Sequence, residues 1–496
     1  GNTVTITGGE IHRFVFGGAG HESGNVTGNT VTITGGEIRD HVYGGFTYGN
    51  GDVTGNIVNI GDGAHDLATG TSIQKSIYGG FNNGGSGTIS GNTLNVKASA
   101  SAQNIHNFDT INFSFTNTLS PKLTLSGTAV TTIKSLRDIT VKGLPTAVTG
   151  TLIENANGIT VTDSSSVSTT GDTAETILST DRTGKKIDYT RYIFKGARTA
   201  ESSSFHETWG GRSVIGNTTT GNEITVGSGN HTNVYGGWTT GAGSTAAADR
   251  RGASKENSVT VNGSATVTGT IYGGYTDVTG GKATDSEVTI DKEIAGAVVG
   301  GKALGDASGN TVTVKANTGA VTGGDGATTN NNTVNLEGNV TVNGTVTGGT
   351  QATGTNNTLH VAGENNSATN IGGFQNVKFN TNGVAANGTM LTLNGGAESK
   401  VDWNTLTVNG NGSGITLLKN NAGINLANYT DGAVKSGLST DRKSEINVSV
   451  VKNAVTQKYT DIKYTGNQFM GVESADIQGT KVYGGISKAG NSTREN

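Results

Sequence analysis

The chain contains no cysteine in its 496 residues, which excludes disulfides, thiolate metal sites and cysteine redox chemistry. Proline is almost as scarce: there are two, against 81 glycines and only 32% hydrophobic residues. Length alone would divide such a chain into about three globular domains, but this composition does not describe ordinary globules and points to a repeat array. Charge is also thin, at 15% of residues with a formal net charge of −4. With no long basic run, the electrostatic term that drives nucleic-acid binding is missing, which excludes nucleic acid as a partner. The low charge and the strict patterning of valine and isoleucine also separate the chain from a solvated, disordered coil. No apolar run approaches the roughly 20 residues that a membrane-crossing helix needs. Gly1 falls inside a repeat with no signal peptide before it, and the closing GNSTREN stops where new repeats should begin, so the expectation is a piece of a longer protein.

What is present is one short pattern, copied many times. GNTVTITGGEIRDHVYGGF, residues 28–46, holds a strand-like alternation of Val31 and Ile33 with Thr30, Thr32 and Thr34, then a second short piece, Val42 and Tyr43, that runs into Gly44, Gly45 and Phe46. The double glycine recurs at Gly17, Gly44 and Gly79, and again at Gly236, Gly273, Gly300, Gly323 and Gly348, the last five spaced by 37, 27, 23 and 25 residues. Aligned copies give an aliphatic column: Val4/Ile6, Val31/Ile33, Val58/Ile60, Leu94/Val96, Ile224/Val226, Val259/Val261, Val288/Ile290, Val312/Val314, Val334/Leu336 and Leu359/Val361. Every residue between the members of a pair is polar. One such strand cannot hide its apolar edge, whereas parallel stacking at about 4.8 Å buries a continuous seam. The reading is an all-β parallel β-helix, or β-solenoid, with coils of 23–37 residues and longer insertions leaving as loops; roughly 20 coils at that spacing span on the order of 100 Å. Glycine in Gly-Asn and Gly-Gly is expected to supply left-handed backbone at the corners. Asn2, Asn29, Asn56, Asn92 and Asn310 share one position, where side chains can bond along the stack.

A second, longer repeat lies over the first. NIHNFDTINF at 104–113 matches NIGGFQNVKF at 370–379, LIENANGITV at 152–161 matches LLKNNAGINL at 417–426, and LSTDR recurs at 178–182 and 438–442. FKGA at 194 and TWGGRSVIGN at 208–217 find partners at 469 and 482–491, so the offset stays between 260 and 275 residues. The expected organisation is therefore glycine-rich coils at 1–100, a glycine-poorer segment at 101–215, glycine-rich coils at 216–366 and the second glycine-poorer segment at 367–496. Thr183-Gly184-Lys185 lies between strand-like pieces and predicts a projecting hairpin or loop.

The recurring GNTVTITGGEI and VYGGF units resemble the passenger region of bacterial autotransporters of the large repetitive adhesin type, over nearly the whole chain. The resemblance implies a parallel β-helix displayed at the bacterial cell surface, outside the cell, that acts in adhesion, autoaggregation or biofilm. It implies partners among host or bacterial surface glycans and proteins, or other copies of the chain, and it supplies no catalytic residue. A self-assembling structural fibre is the alternative, and a polysaccharide-degrading β-helix enzyme the second alternative.

Aromatic residues flank the double glycine in two columns, Phe16, Tyr43, Tyr78, Tyr235, Tyr272 and Tyr483 before it and Phe46, Phe81, Trp238 and Tyr275 after it, with Lys302 and Ile486 intruding in the second. They fit either an internal stack filling a corner or an outward strip on which sugar rings lie. The TxT pairs do not sustain a flat ice-binding array, because Asn59, Asn95, Asn335 and His360 replace the middle threonine. The densest charge is Asp181, Arg182, Lys185, Lys186, Asp188 and Arg191, with Asp441, Arg442, Lys443 and Glu445 in the second copy, and an Asp beside an Arg in a turn is an ordinary surface contact. FHETWGG lacks the second histidine of a zinc HExxH helix, since Gly210 stands there, and Asp62 and Asp66 in GDGAHD make at most a lone weak site. The expectation is a non-enzyme with no cofactor and no metal. Candidate partner contacts are Asp181, Arg182, Tyr189, Arg191, Tyr192, Trp209, Trp238, Tyr275, Asp441 and Arg442.

Overall fold

The computed structural model describes residues 1–496 except 23, 166, 171–172, 197–200, 203–206, 242–251, 440–441, 470–475, 479–480 and 489–496. Among the described residues the chain is all-β, with a three-residue helical turn, Leu136–Asp138, as its one helical element. It divides into two compact units, Gly1–Tyr192 and Ile193–Asn496.

In the first unit the alternating strands Thr3–Ile11, Thr30–Ile38, Ile57–Ile60, Thr93–Val96, Thr110–Ser114 and Ile139–Lys142 pair in that order, all parallel. The register runs Val4 to Val31 to Val58 to Leu94 and Ile6 to Ile33 to Ile60 to Val96, so the aliphatic column read from sequence is the column that stacks. It continues through Ile111 and Ile139, and through Phe113 and Val141. Val31, Ile33, Val58, Ile60, Leu94 and Val96 are fully buried, and each such side chain stabilises by about 1.5–3 kcal/mol. The polar residues between them form their own ladder, in which Asn59 Nδ2 donates to Thr32 Oγ1 at 3.0 Å and Asn95 Nδ2 to Asn59 Oδ1 at 2.7 Å.

The second unit repeats the arrangement. Glu223–Val226, Ser258–Val261, Glu287–Ile290, Thr311–Val314, Thr333–Glu337, Thr358–Ala362, Asn376–Asn380 and Leu406–Asn409 form one parallel ladder. Its inward pairs join one hydrophobic core from Ile224 to Val408, aliphatic except for Phe379.

The asparagine position is a continuous buried ladder. Backbone N and side-chain Nδ2 of Asn29 both donate to Asn56 Oδ1, at 3.1 and 2.9 Å, and those of Asn56 both donate to Asn92 Oδ1, at 2.9 and 3.1 Å. In the second unit Asn222 bonds to Asn257 in this way, Asn310 to Asn332, and Asn332 to Asn357, with Ser286 standing in between Asn257 and Asn310. Of these later members, only Asn310 belongs to the column legible in the sequence. Each ladder ends on a different acceptor, Asp109 Oδ2 in the first unit and Gln375 Oε1 in the second, which are equivalent residues of the long repeat.

Glycine has two separate jobs here, and the expectation of left-handed backbone holds for only one. The residue before each ladder asparagine has positive φ, as at Gly28, Gly55, Gly91, Gly221 and Gly309, and the same conformation is forced on Glu256, Asp285, Asn331 and Asn356. The double glycines do not have it. They are extended, and their need for glycine is space: a Cβ on Gly45 would lie 2.6 Å from Asn56 Nδ2, and one on Gly44 would lie 2.6 Å from the carbonyl oxygen of Gly79 in the next copy.

Parallel pairing is interrupted at equivalent places in both units. Lys186–Ile193 runs antiparallel to Thr149–Asn155, and Tyr459–Gln468 runs antiparallel to Gly412–Asn420. The parent strands end alike: Asn155 and Asn420 are fully buried, their Oδ1 atoms accept from the backbone two residues on, and Gly158 and Gly423 follow at φ 111° and 123°. Asn155 and Asn420 thus hold matching places in LIENANGITV and LLKNNAGINL.

Candidate ligand-binding surface

The aromatic columns stack in register on the face opposite the aliphatic core. In the first unit Val15–Gly20, Val42–Thr47, Ile77–Asn82 and Ile105–His106 form a parallel ladder, with Phe16, Tyr43, Tyr78 and His106 at one level and Phe46 and Phe81 at another. Consecutive rings of the first column are near parallel, with centroids 5.3, 5.0 and 4.7 Å apart. Phe46 and Phe81 stack at 5.6 Å, and Tyr43 meets Phe46 edge-on at 5.2 Å. Val15, Val42, Ile77 and Ile105, the residues just before the first column, point into the core. The strand is bent at the double glycine, where the register skips Gly17 and Gly44, so ring positions three residues apart share one face.

This settles a question that the sequence left open. Tyr43 and Phe46 are buried, yet against other rings, outside the aliphatic core. The stack is therefore not an internal corner filling. All seven Phe, Tyr and Trp residues of 1–100 lie on this outer face, and all four of 216–366, Tyr235, Trp238, Tyr272 and Tyr275, lie on the outer side of the second unit's own ladder. Phe14 and Tyr48, which column-reading missed, extend the first patch and are its exposed members, at 44% and 50%. Phe14 lies 6.0 Å from Tyr43, Tyr48 lies 4.6 Å from Phe46, and His41 and His21 stack at the margins. Phe14 stands two residues before Phe16, and Tyr48 two after Phe46, which is the same-face spacing of a strand and the signal that could have found them.

The titratable groups of the patch are its tyrosines and histidines, with Asp40 beside them. Burial, with Tyr78 and Asp40 beside it, pushes the Tyr43 hydroxyl up to about 12, and burial likewise raises Tyr78. Burial, then the nearby His41, lowers His106 and keeps its imidazole uncharged at neutral pH. His106 also lines a cavity of about 290 Å³, together with Asn107, Asp109, Lys134 and Asp138 and with apolar residues such as Ile105 and Ile133. Lys134 Nζ and Asp109 Oδ1 pair there at 2.7 Å.

The second unit carries a more charged version. Trp209, Tyr235 and Tyr272 are in register, and so are Arg212, Trp238, Tyr275, Lys302 and Asp325. The Arg212 guanidinium lies 3.9 Å over the Trp238 ring, and Lys302 pairs with Asp325 at 3.1 Å. Of the sequence candidates here, Trp238 and Tyr275 are half-buried on the outer face, whereas Trp209 is 2% exposed.

The STDR candidates are elsewhere and do different work. Ala174–Thr180 and Lys186–Ile193 are neighbouring strands joined by the turn at 181–185. The Asp181 carboxylate accepts from its own turn, from Lys185 N at 2.7 Å, Lys186 N at 2.8 Å and the Thr183 hydroxyl. Lys186 pairs with Glu154, Asp188 accepts from Thr151, and the buried Arg191 donates through Nη1 to Pro145 O at 2.9 Å. Tyr189 is buried in the core, Tyr192 is half-buried and Arg182 is exposed. Arg442 is exposed with φ 61°, while Asp441, like His206 of FHETWGG, lies outside the described residues. Asp62 likewise caps its own loop, accepting from Ala64 N and His65 N.

The Asp181 turn has a pH signature. Hydrogen bonds from Thr183, then from the Lys186 and Lys185 amides, hold its carboxyl down to about 2. The folded pKa lies below the ordinary value near 3.8, so the turn's stabilisation is complete above that value and is lost as pH falls towards 2. Protection of the Thr183, Lys185 and Lys186 amides against exchange, relative to an unstructured chain at the same pH, should fall over that window, and Asp181→Asn should remove the step. A carboxyl titrating near its ordinary value in NMR would refute this.

No protein-family model, curated protein or solved structure matches the chain.

Proposed function

We propose that this chain is part of a bacterial cell-surface adhesin of the autotransporter-passenger type, in which the parallel ladders close into a β-solenoid that carries binding surfaces outside the cell. The observation that carries the reading is the placement of aromatic side chains. Aromatic rings are the largest source of burial energy available to a core, and in both glycine-rich segments the aliphatic core is built without them while each unit's outer face holds its own, seven in the first and four in the second. Stacked, partly exposed rings on an outer face suit contact with a partner.

Binding fits better than catalysis. Of the charged residues that an enzyme would recruit at 181–191, Asp181, Lys186, Asp188 and Arg191 are taken up by turns, strand pairing and a carbonyl. The partners are glycans or proteins of host or bacterial surfaces, or further copies of the chain.

Beads coated with the purified chain should adhere to host or bacterial cells, and uncoated beads should not. Light scattering against concentration separates adhesion from self-assembly. If the coated beads bind no cell surface and the chain neither self-associates nor aggregates cells, the reading fails.

A further inference from the structure

Ten asparagines of this chain are followed by glycine, where no Cβ hinders closure of the next amide onto the asparagine side chain, and the fold treats the ten differently. Exposure does not separate them, since Asn50, Asn83, Asn157, Asn382, Asn387 and Asn394 all stand exposed. Their glycines do. The amides of Gly84, Gly158, Gly388 and Gly395 donate to Asn82 O, Asn155 O, Ala385 O and Thr369 O, at 3.2, 3.0, 2.9 and 2.8 Å. Gly344 and Gly412 lie within the strands Thr341–Gly349 and Gly412–Asn420. Gly51 and Gly263 are stacked on the preceding copy, where a Cβ would lie 2.1 Å from Gly24 O and 2.3 Å from Gly227 O, and Gly410 is packed against Asn382 and Thr381. That leaves Gly383, which is exposed at φ 79° with nothing within 4 Å of its Cβ position. Its amide donates to nothing among the described residues, and the Asn382 side-chain amide makes no hydrogen bond there either.

We propose that Asn382 is a self-modifying site, which converts to aspartate and isoaspartate in water without an enzyme. The Gly383 amide nitrogen gives its proton to a solvent base and attacks Asn382 Cγ. The Cγ–Nδ2 bond breaks, and the side-chain nitrogen takes a proton from water and leaves as ammonia, so that the product is a cyclic succinimide. Water then opens the ring at either carbonyl. Cleavage of the Cγ–N bond gives aspartate, and cleavage of the backbone C–N bond gives isoaspartate; the net change exchanges one amide and one water for one carboxyl and one ammonia, with nothing oxidised or reduced. Ring closure requires the peptide between Asn382 and Gly383 to turn, and that opening is easiest where the peptide nitrogen holds no hydrogen bond and meets no neighbour. The turn is closed by Val384 N donating to Thr381 O at 3.1 Å, a bond in which neither reacting group takes part. Thr381 also bounds the damage: it is fully buried, and its hydroxyl donates to Asn409 O and Asn411 O at 3.0 and 2.9 Å. The new charge and the extra backbone atom of isoaspartate therefore fall on the surface, outside that anchor.

The test is to hold the whole chain at mildly alkaline pH, digest samples at intervals, follow each Asn-Gly site by peptide mass and count isoaspartate with an isoaspartyl methyltransferase. Asn382 should convert at least about tenfold faster than Asn157, Asn387 and Asn394, whose glycine amides must first be freed by local opening. In guanidinium the spread should collapse, because the sites then differ only in their flanking residues. Asn382→Gln, whose longer side chain disfavours the ring, should abolish the fast phase in the folded chain and leave the slow sites as they were. Conversion at Asn382 no faster than at those three sites in the folded chain, or the same ranking with the same spread in guanidinium, overturns the proposal.

Discussion

Gly324→Ala is expected to break the second unit's ladder locally, at a cost of about 4 kcal/mol or more, beyond the range of ordinary surface or packing changes. Gly324 pairs with Gly301 on one side and Gly349 on the other. A Cβ there would stand 2.0 Å from the carbonyl oxygen of Ala307 and 2.6 Å from Asn332 Nδ2. Neither can withdraw. The carbonyl is backbone, and the amide is fixed by bonds to Asn310 and Asn357. The backbone must shift instead, and because a stacked repeat depends on its neighbours, the loss spreads to the pairings on either side. Gly372→Ala is the control: nothing lies within 4 Å of its Cβ and its φ is not positive, so the change should stay within about 0.5 kcal/mol. Thermal unfolding followed by circular dichroism, with hydrogen exchange mapped over 297–349, would check both. A Gly324→Ala chain as stable as the Gly372→Ala chain would show that the Ala307 carbonyl is not where it is placed.

Asn56→Ala should cost about 3–5 kcal/mol, the sum of two or more buried polar groups each left unpaired at about 1–3 kcal/mol. Asn56 Oδ1 accepts from both Asn29 N and Asn29 Nδ2, and its own Nδ2 donates to Val26 O at 3.2 Å and Asn92 Oδ1 at 3.1 Å. Asn29, Asn56 and Asn92 are at most 3% exposed, so water cannot replace what is lost. Asn95→Ala, on the wet face, also removes amide bonds, to Asn59 and from Asn112. Solvent reaches that side chain, and the expected cost is about 1 kcal/mol or less. Urea unfolding of the two variants side by side decides the matter: equal losses would mean that burial of the ladder contributes nothing. Amide exchange should localise the Asn56→Ala damage to residues 26–60 and 89–96.

The aliphatic columns were legible because they depend on a rule internal to each strand. Val31 and Ile33 must share a face wherever the strand lies, and like columns in ten copies admit one economical partner, the next copy. The long repeat was legible for the same reason, since Asn155 and Asn420 occupy matching places in matching words. The double glycine was not. Its backbone is extended, and nothing in VYGGF reveals that a buried amide from the asparagine position fills the space a Cβ would take. The aromatic face was half legible: the columns could be aligned, but which side of the strand they take turns on the bend at the glycines.

The sequence by itself determined the strands, their parallel partners and their register, because hydrophobic period and repeat length are properties of the chain. Only the tertiary structure decided which glycines are there for conformation and which for space, that Asp181 and Arg191 are occupied within their own fold, and that the rings flanking the double glycine stand outside the core. These depend on what the next copy brings within 3 Å, and a contact across 20 to 40 residues of chain leaves no mark on the residues that make it.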